Sequence, residues 1–77
     1  MRITIEMHGP LQCFNRDGEC RAEWELPDDL TVGEVLTHLG MDLNEPWNAG
    51  LNGALAAADD KVSDGSLLIV FPPIEGG

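Results

Sequence analysis

Residues 2–7 alternate: Ile3, Ile5 and Met7 are apolar, while Arg2, Thr4 and Glu6 are polar. That is the period of a strand with one buried face. Gly9-Pro10 ends it. Leu11 and Phe14, three apart, suit a single helical turn, and Asn15-Arg16-Asp17-Gly18 is turn chemistry. Alternation resumes over 19–26, with Cys20, Ala22, Trp24 and Leu26 on one side and Glu19, Arg21, Glu23 and Glu25 on the other. The pattern predicts an antiparallel strand with one charged face, joined to the first as an elaborated hairpin.

After Pro27-Asp28-Asp29 the period changes. Thr31 and Glu34 have capping-box spacing. Val32, Val35, Leu36 and Leu39 follow at i, i+3, i+4 and i+7, one face of a short helix. Gly40 stands at the expected C′ position, and His38 lies near the negative end of the helix dipole. Gly33 weakens such a helix by about 0.5–1 kcal/mol relative to alanine, so the helix relies on packing. Residues 47–51 read as a third strand, Asn52-Gly53 as a type I′ turn, and 54–57 as a short partner strand. Val62 is a core anchor and Asp64-Gly65 a turn. Leu67–Phe71 is apolar on both faces, as a strand in the middle of a sheet would be. The order β-β-α-β-β-β predicts an α+β domain: a mixed sheet of about five strands with one main helix packed across it.

Composition narrows the function. A chain of 77 residues has room for one domain, and its 43% hydrophobic content leaves little margin for a deep pocket. Four basic residues against 14 acidic ones give a net charge of −10. Such a chain repels phosphate, which argues against nucleic acid and anionic membranes and favours basic protein partners. The N-terminal segment lacks the apolar core of a signal peptide, and no run approaches the length of a membrane span. Cytoplasmic residence is therefore expected, with Cys13 and Cys20 reduced and filling core or strand positions; a Cys13–Cys20 hairpin bridge is the alternative. Two cysteines are too few for a ferredoxin cluster, and no zinc-ligand spacing is present. His8 and His38 have no paired nucleophile and receive no catalytic role. Trp24 is expected in the core. For Trp47, core and exposed placements both remain open.

The C-terminus carries the chemistry: Phe71-Pro72-Pro73-Ile74-Glu75-Gly76-Gly77. The prolines fix an extended path and project the tail from the fold. Gly76 and Gly77, lacking Cβ, can thread a channel too narrow for side chains. The division expected is a domain at 1–71 and an extended tail at 72–77. Phe71 fills either the core or a partner interface; alternation does not decide. Pro72, Pro73 and Ile74 read as an apolar anchor for a partner.

The opening strand, Gly9-Pro10-Leu11, Leu26-Pro27 leading to Thr31-Val32-Gly33-Glu34-Val35-Leu36, Leu51-Asn52-Gly53, Val62-Ser63-Asp64-Gly65 and Val70-Phe71-Pro72-Pro73-Ile74-Glu75-Gly76-Gly77 together resemble the ubiquitin-like sulfur carriers of the MoaD/ThiS type. The Phe-Pro-Pro before the diglycine is most similar to the molybdopterin-synthase small-subunit branch. The resemblance implies a β-grasp (ubiquitin-like) fold. It implies that the Gly77 carboxylate, with Gly76 beside it, is adenylated and converted to a thiocarboxylate. It further implies that Phe71, Pro72, Pro73, Ile74 and Glu75 bind partners. Those partners would be an adenylyltransferase related to ubiquitin-activating enzymes, a cysteine desulfurase or rhodanese-like sulfur donor, and a large synthase subunit. ATP and Mg would be used by the activating partner, with no cofactor or metal bound by the carrier. The protein would then be a co-substrate more than a stand-alone enzyme. A thiamine-pathway carrier, or a modifier joined to lysine through Gly77, is the alternative.

Overall fold

The computed structural model describes residues 1–44 and 46–73. Its strands are β1 (Arg2–Met7), β2 (Arg21–Glu25), β3 (Asn48–Leu51), β4 (Ala54–Ala56) and β5 (Leu67–Phe71), with helix α1 (Val32–His38) between β2 and β3. They form one mixed sheet in the order β2-β1-β5-β3-β4. The two ends of the chain meet at its centre, where β1 and β5 pair in parallel; the other pairings are antiparallel. This is the expected architecture, with strand and helix boundaries close to those read from periodicity.

Register sorts the side chains. Ile3, Ile5 and Met7 of β1, Leu68 and Val70 of β5 and Ala49 of β3 are buried on one face. Val32, Val35 and Leu36 of α1 complete the core with Leu26, Met41 and Val62. Each such side chain contributes about 1.5–3 kcal/mol when taken from water.

The helix is seven residues long, too short to persist alone. What holds it is a complete set of partners for its first turn, whose four N–H groups have no intrahelical acceptors. Thr31 N–H donates to Glu34 Oε1 at 3.0 Å, and Glu34 N–H donates to Thr31 Oγ1 at 3.2 Å. Val32 N–H donates to Asp60 O and Gly33 N–H to Ala58 O, both at 2.8 Å. The capping box supplies half of this and the 58–60 segment the other half. Gly33 now has a reason to be there. A Cβ at this position would stand 3.2 Å from Ala58 O and 3.3 Å from Ala58 Cβ, so glycine admits the strap that caps the helix.

The β1–β2 connection runs through two 3₁₀ turns at Gly9–Phe14 and Arg16–Gly18, as the Leu11/Phe14 spacing and the Asp-Gly pair predicted. Buried Asn15 pins it. Its Nδ2 donates to Ile5 O (3.0 Å) and Cys20 O (3.2 Å), while its Oδ1 accepts from Arg16 N–H (2.9 Å) and Trp24 Nε1–H (2.8 Å). Trp24 is therefore half-buried at the core's rim, not within it, with the Arg16 guanidinium 4.6 Å above its ring. Trp47 is likewise half-buried against the core. The cysteines depart from expectation. Cys13 and Cys20 are both free thiols exposed to solvent. Alternation puts Cys20 on the core side, but it leads into an edge strand that leaves it open.

Two stability predictions follow from these contacts. Thr31→Ala is expected to cost about 1 kcal/mol in chemical denaturation. Asn15→Ala removes the acceptor of the Trp24 and Arg16 N–H groups and a donor to Ile5 O and Cys20 O, the latter keeping Met7 N–H at 2.7 Å, and is expected to cost about 1–3 kcal/mol. A loss below a few tenths of a kcal/mol for Asn15→Ala would show that the connection is not held this way.

Candidate functional site

The tail leaves the fold from the most constrained place in it. β5 lies between β1 and β3, so the backbone before Pro72 is held on both sides. His8 N–H donates to Val70 O at 3.0 Å, extending the parallel ladder to the last core residue. Pro72 is half-buried above Gly9, where an added Cβ would lie 3.5 Å from its ring; Pro73 is exposed. Gly9 has φ = +61°, a conformation that strains any residue with a side chain. The expected sites at Ile74, Glu75, Gly76 and Gly77 lie outside the described residues.

Among the described residues no helix packs over the second sheet face. Phe71, left undecided between core and interface, is half-buried on this outer face with Leu67 and Ile69. One row crosses all five strands: Arg21, Glu6, Ile69, Gly50 and Leu55. It passes from charge to hydrocarbon. Gly50 has no side chain to shield Ile69, and Leu55 is 81% exposed. The site is thus an apolar strip along β5 and β4, continuous with the tail root and flanked by charge.

That flank was not foreseen. Glu6, only 15% exposed, accepts from the Arg21 guanidinium at 2.6 Å from Nη2 and 3.0 Å from Nε, while its second oxygen meets His8 Nε2 at 2.6 Å. The Arg21 hydrogen bond, then that of His8, holds the Glu6 carboxyl below its ordinary 4.5. Sequence gave Glu6 and Arg21 as polar strand positions; their pairing needed the β1–β2 register. The apolar strip did have a signal, since β5 is hydrophobic on both faces while only one could face the core. Among the described residues no group of three His, Cys, Asp or Glu side chains could hold a metal, and no helix is long and apolar enough to cross a membrane. The arrangement presents a partly exposed apolar strip beside the end of β5.

A family model, the ThiS family, matches residues 11–77. This chain belongs to the ThiS family. It has the β-grasp fold shared by MoaD/ThiS-type sulfur carriers and ubiquitin-like modifiers. The Haloferax volcanii HVO 2177 protein matches with a TM-score of 0.78 and 26% identity, covering 100% of this chain and 87% of that one. Small archaeal modifier protein 1 of Haloferax volcanii matches at 0.76 and 22%, with 95% and 98% covered. A chain in the complex of subunits 1 and 2 of molybdopterin-converting factor from Helicobacter pylori matches at 0.64 and 19%, with 100% of both covered. A search of proteins with curated function finds no match.

A depressed carboxyl pKa stabilises the fold above the unfolded value, and that stabilisation is lost as pH falls through the folded value. For Glu6 the window opens at 4.5 and extends downward. Arg21 is 62% exposed, so solvent screens part of the effect. Glu6→Gln is expected to flatten the acid limb of the stability–pH curve below about pH 4.5. An unchanged limb would show that this pair does not contribute.

Proposed function

We propose that this protein is a sulfur carrier for molybdopterin synthesis, with the Gly77 carboxylate as its reactive group. One observation carries the reading. In a chain of the ThiS family, the strand that leads to Phe71-Pro72-Pro73-Ile74-Glu75-Gly76-Gly77 is the central strand of the sheet. A rigid root and a narrow tail suit delivery of a terminal group into another protein's site.

The chemistry follows from the terminal group. A carboxylate is a poor electrophile and is ionised near neutral pH. Attack of its oxygen on the α-phosphorus of ATP, with Mg in the activating partner, releases pyrophosphate and leaves an acyl-adenylate. A persulfide sulfur from a cysteine desulfurase or rhodanese-like protein then attacks the carbonyl carbon and displaces AMP. A thiol cleaves the acyl disulfide, taking the donor's sulfur into a new disulfide and releasing the thiocarboxylate. Delivery of that sulfur would occur in a large synthase subunit. The fold likeness to a chain of the two-subunit Helicobacter pylori complex supports a partner of this kind. Leu67, Ile69, Phe71 and Leu55 supply apolar contact for docking. Phe71, Pro72, Pro73, Ile74 and Glu75 guide Gly76 and Gly77 inward.

A second reading, conjugation of Gly77 to lysine as a protein modifier, is favoured by the likeness to the small archaeal modifier protein. Both readings begin with the acyl-adenylate and separate at the acceptor.

With adenylyltransferase, ATP and a sulfur donor, the intact mass is expected to rise by the difference between sulfur and oxygen. No rise overturns the carrier reading; Gly-Gly remnants on cellular lysines with no such rise would establish the modifier instead. Removal of Gly77 is expected to abolish the reaction with the amide spectrum of the domain unchanged. Ile69→Asp is expected to slow adenylation about tenfold through lost docking.

A further inference from the structure

The helix side of the molecule carries a second surface that the tail chemistry does not use. Leu30, Gly33, Thr37, Leu43 and Ala58 line an open groove of about 750 Å³. Its floor exists because Gly33 has no side chain: Ala58 approaches on one side, and Leu43 Cδ1 would lie 3.4 Å from a Cβ there. Leu43 is 39% exposed, one of two large apolar side chains open to solvent among the described residues. The other, Leu55, belongs to the opposite face of the sheet.

Three of the four basic residues are engaged away from the groove: Arg2 pairs with Glu25, Arg21 pairs with Glu6, and Arg16 lies over Trp24. The groove has carboxylates in its wall at Glu34 and Asp59, with Asp29 and Asp60 adjacent to wall residues in the chain. Lys61 is the basic residue near them, and its ammonium is 3.7 Å from Asp29. Glu34 stays ionised, because the Thr31 backbone hydrogen bond holds its carboxyl below the ordinary value. An apolar floor within an acidic rim is complementary to a segment with leucine-like side chains on one face and lysine or arginine on the other. A second copy of this chain, at a net charge of −10, offers the wrong sign, as does an anionic membrane.

We propose that this groove docks a basic amphipathic helix of a partner protein, on the side of the domain opposite the surface that presents the tail. The two surfaces can be occupied together, so a partner held here leaves Gly77 free to enter another site. This inference does not depend on the fate of Gly77.

The test uses the full chain and a leucine–lysine peptide with leucines at i, i+3, i+4 and i+7, titrated by fluorescence anisotropy and amide NMR. Shifts are expected at Leu30, Gly33, Thr37, Leu43 and Ala58, with affinity falling as salt rises. Leu43→Ser is expected to weaken binding about tenfold at unchanged charge. Asp59→Asn is expected to weaken it about threefold. Leu55→Ser is expected to leave it unchanged. A peptide with the same lysines and alanine for leucine is expected to lose most of the affinity. Shifts mapping to β2 and β5, equal binding by the alanine peptide, or no effect of Leu43→Ser would each overturn the proposal. So would concentration-dependent self-association through the groove.

Discussion

The parallel pairing of β1 with β5 is the constraint on which the rest of the structure depends. It brings the first and last strands together at the centre of the sheet and gives both a fully bonded neighbour on each side. Parallel neighbours cannot be joined by a tight turn. The intervening chain therefore adds β2 beside β1, crosses the core face as α1, and returns through β3 and β4 on the other side of β5. The same pairing fixes where the tail begins. Val70 is held by His8 N–H beyond the end of the regular ladder, and Pro72 rests above Gly9. The root of the tail is thus tied to the best-supported part of the fold.

A sheet covered on one side has a second side to account for. In β5 the inward residues Leu68 and Val70 satisfy the core, while Leu67, Ile69 and Phe71 lie outward with no covering element among the described residues. The charged half of that face, built from Arg21, Glu6 and His8, limits the apolar area and orients what can dock on it. Hydrocarbon supplies contact and the charges supply direction, a division common at protein interfaces. Pro72 follows directly on this surface, at the end of β5.

The helix shows how local and long-range information combine. The capping box was legible from Thr31 and Glu34, and the buried stripe from Val32, Val35 and Leu36. Gly33 read as a weakness because propensity alone was visible. Its real setting is the close approach of Ala58, which provides the acceptor for Gly33 N–H and also shapes the outer groove. Cys20 shows the converse failure. Alternation grouped it with the core-facing residues, but it precedes the edge strand β2 and is exposed.

By itself the sequence determined the element order, the inward faces of β1 and α1, and the turns at Asp17-Gly18 and Asn52-Gly53. These depend on local period, backbone preference and residue type, all written within a few positions of one another. Only the tertiary structure decided that Phe71 faces outward, that Glu6 joins Arg21 and His8, and that Leu43, Gly33 and Ala58 meet in a groove. Those outcomes depend on register between strands and contacts between segments distant in sequence. A period of two says that neighbours point in opposite directions, but packing decides which direction meets the core.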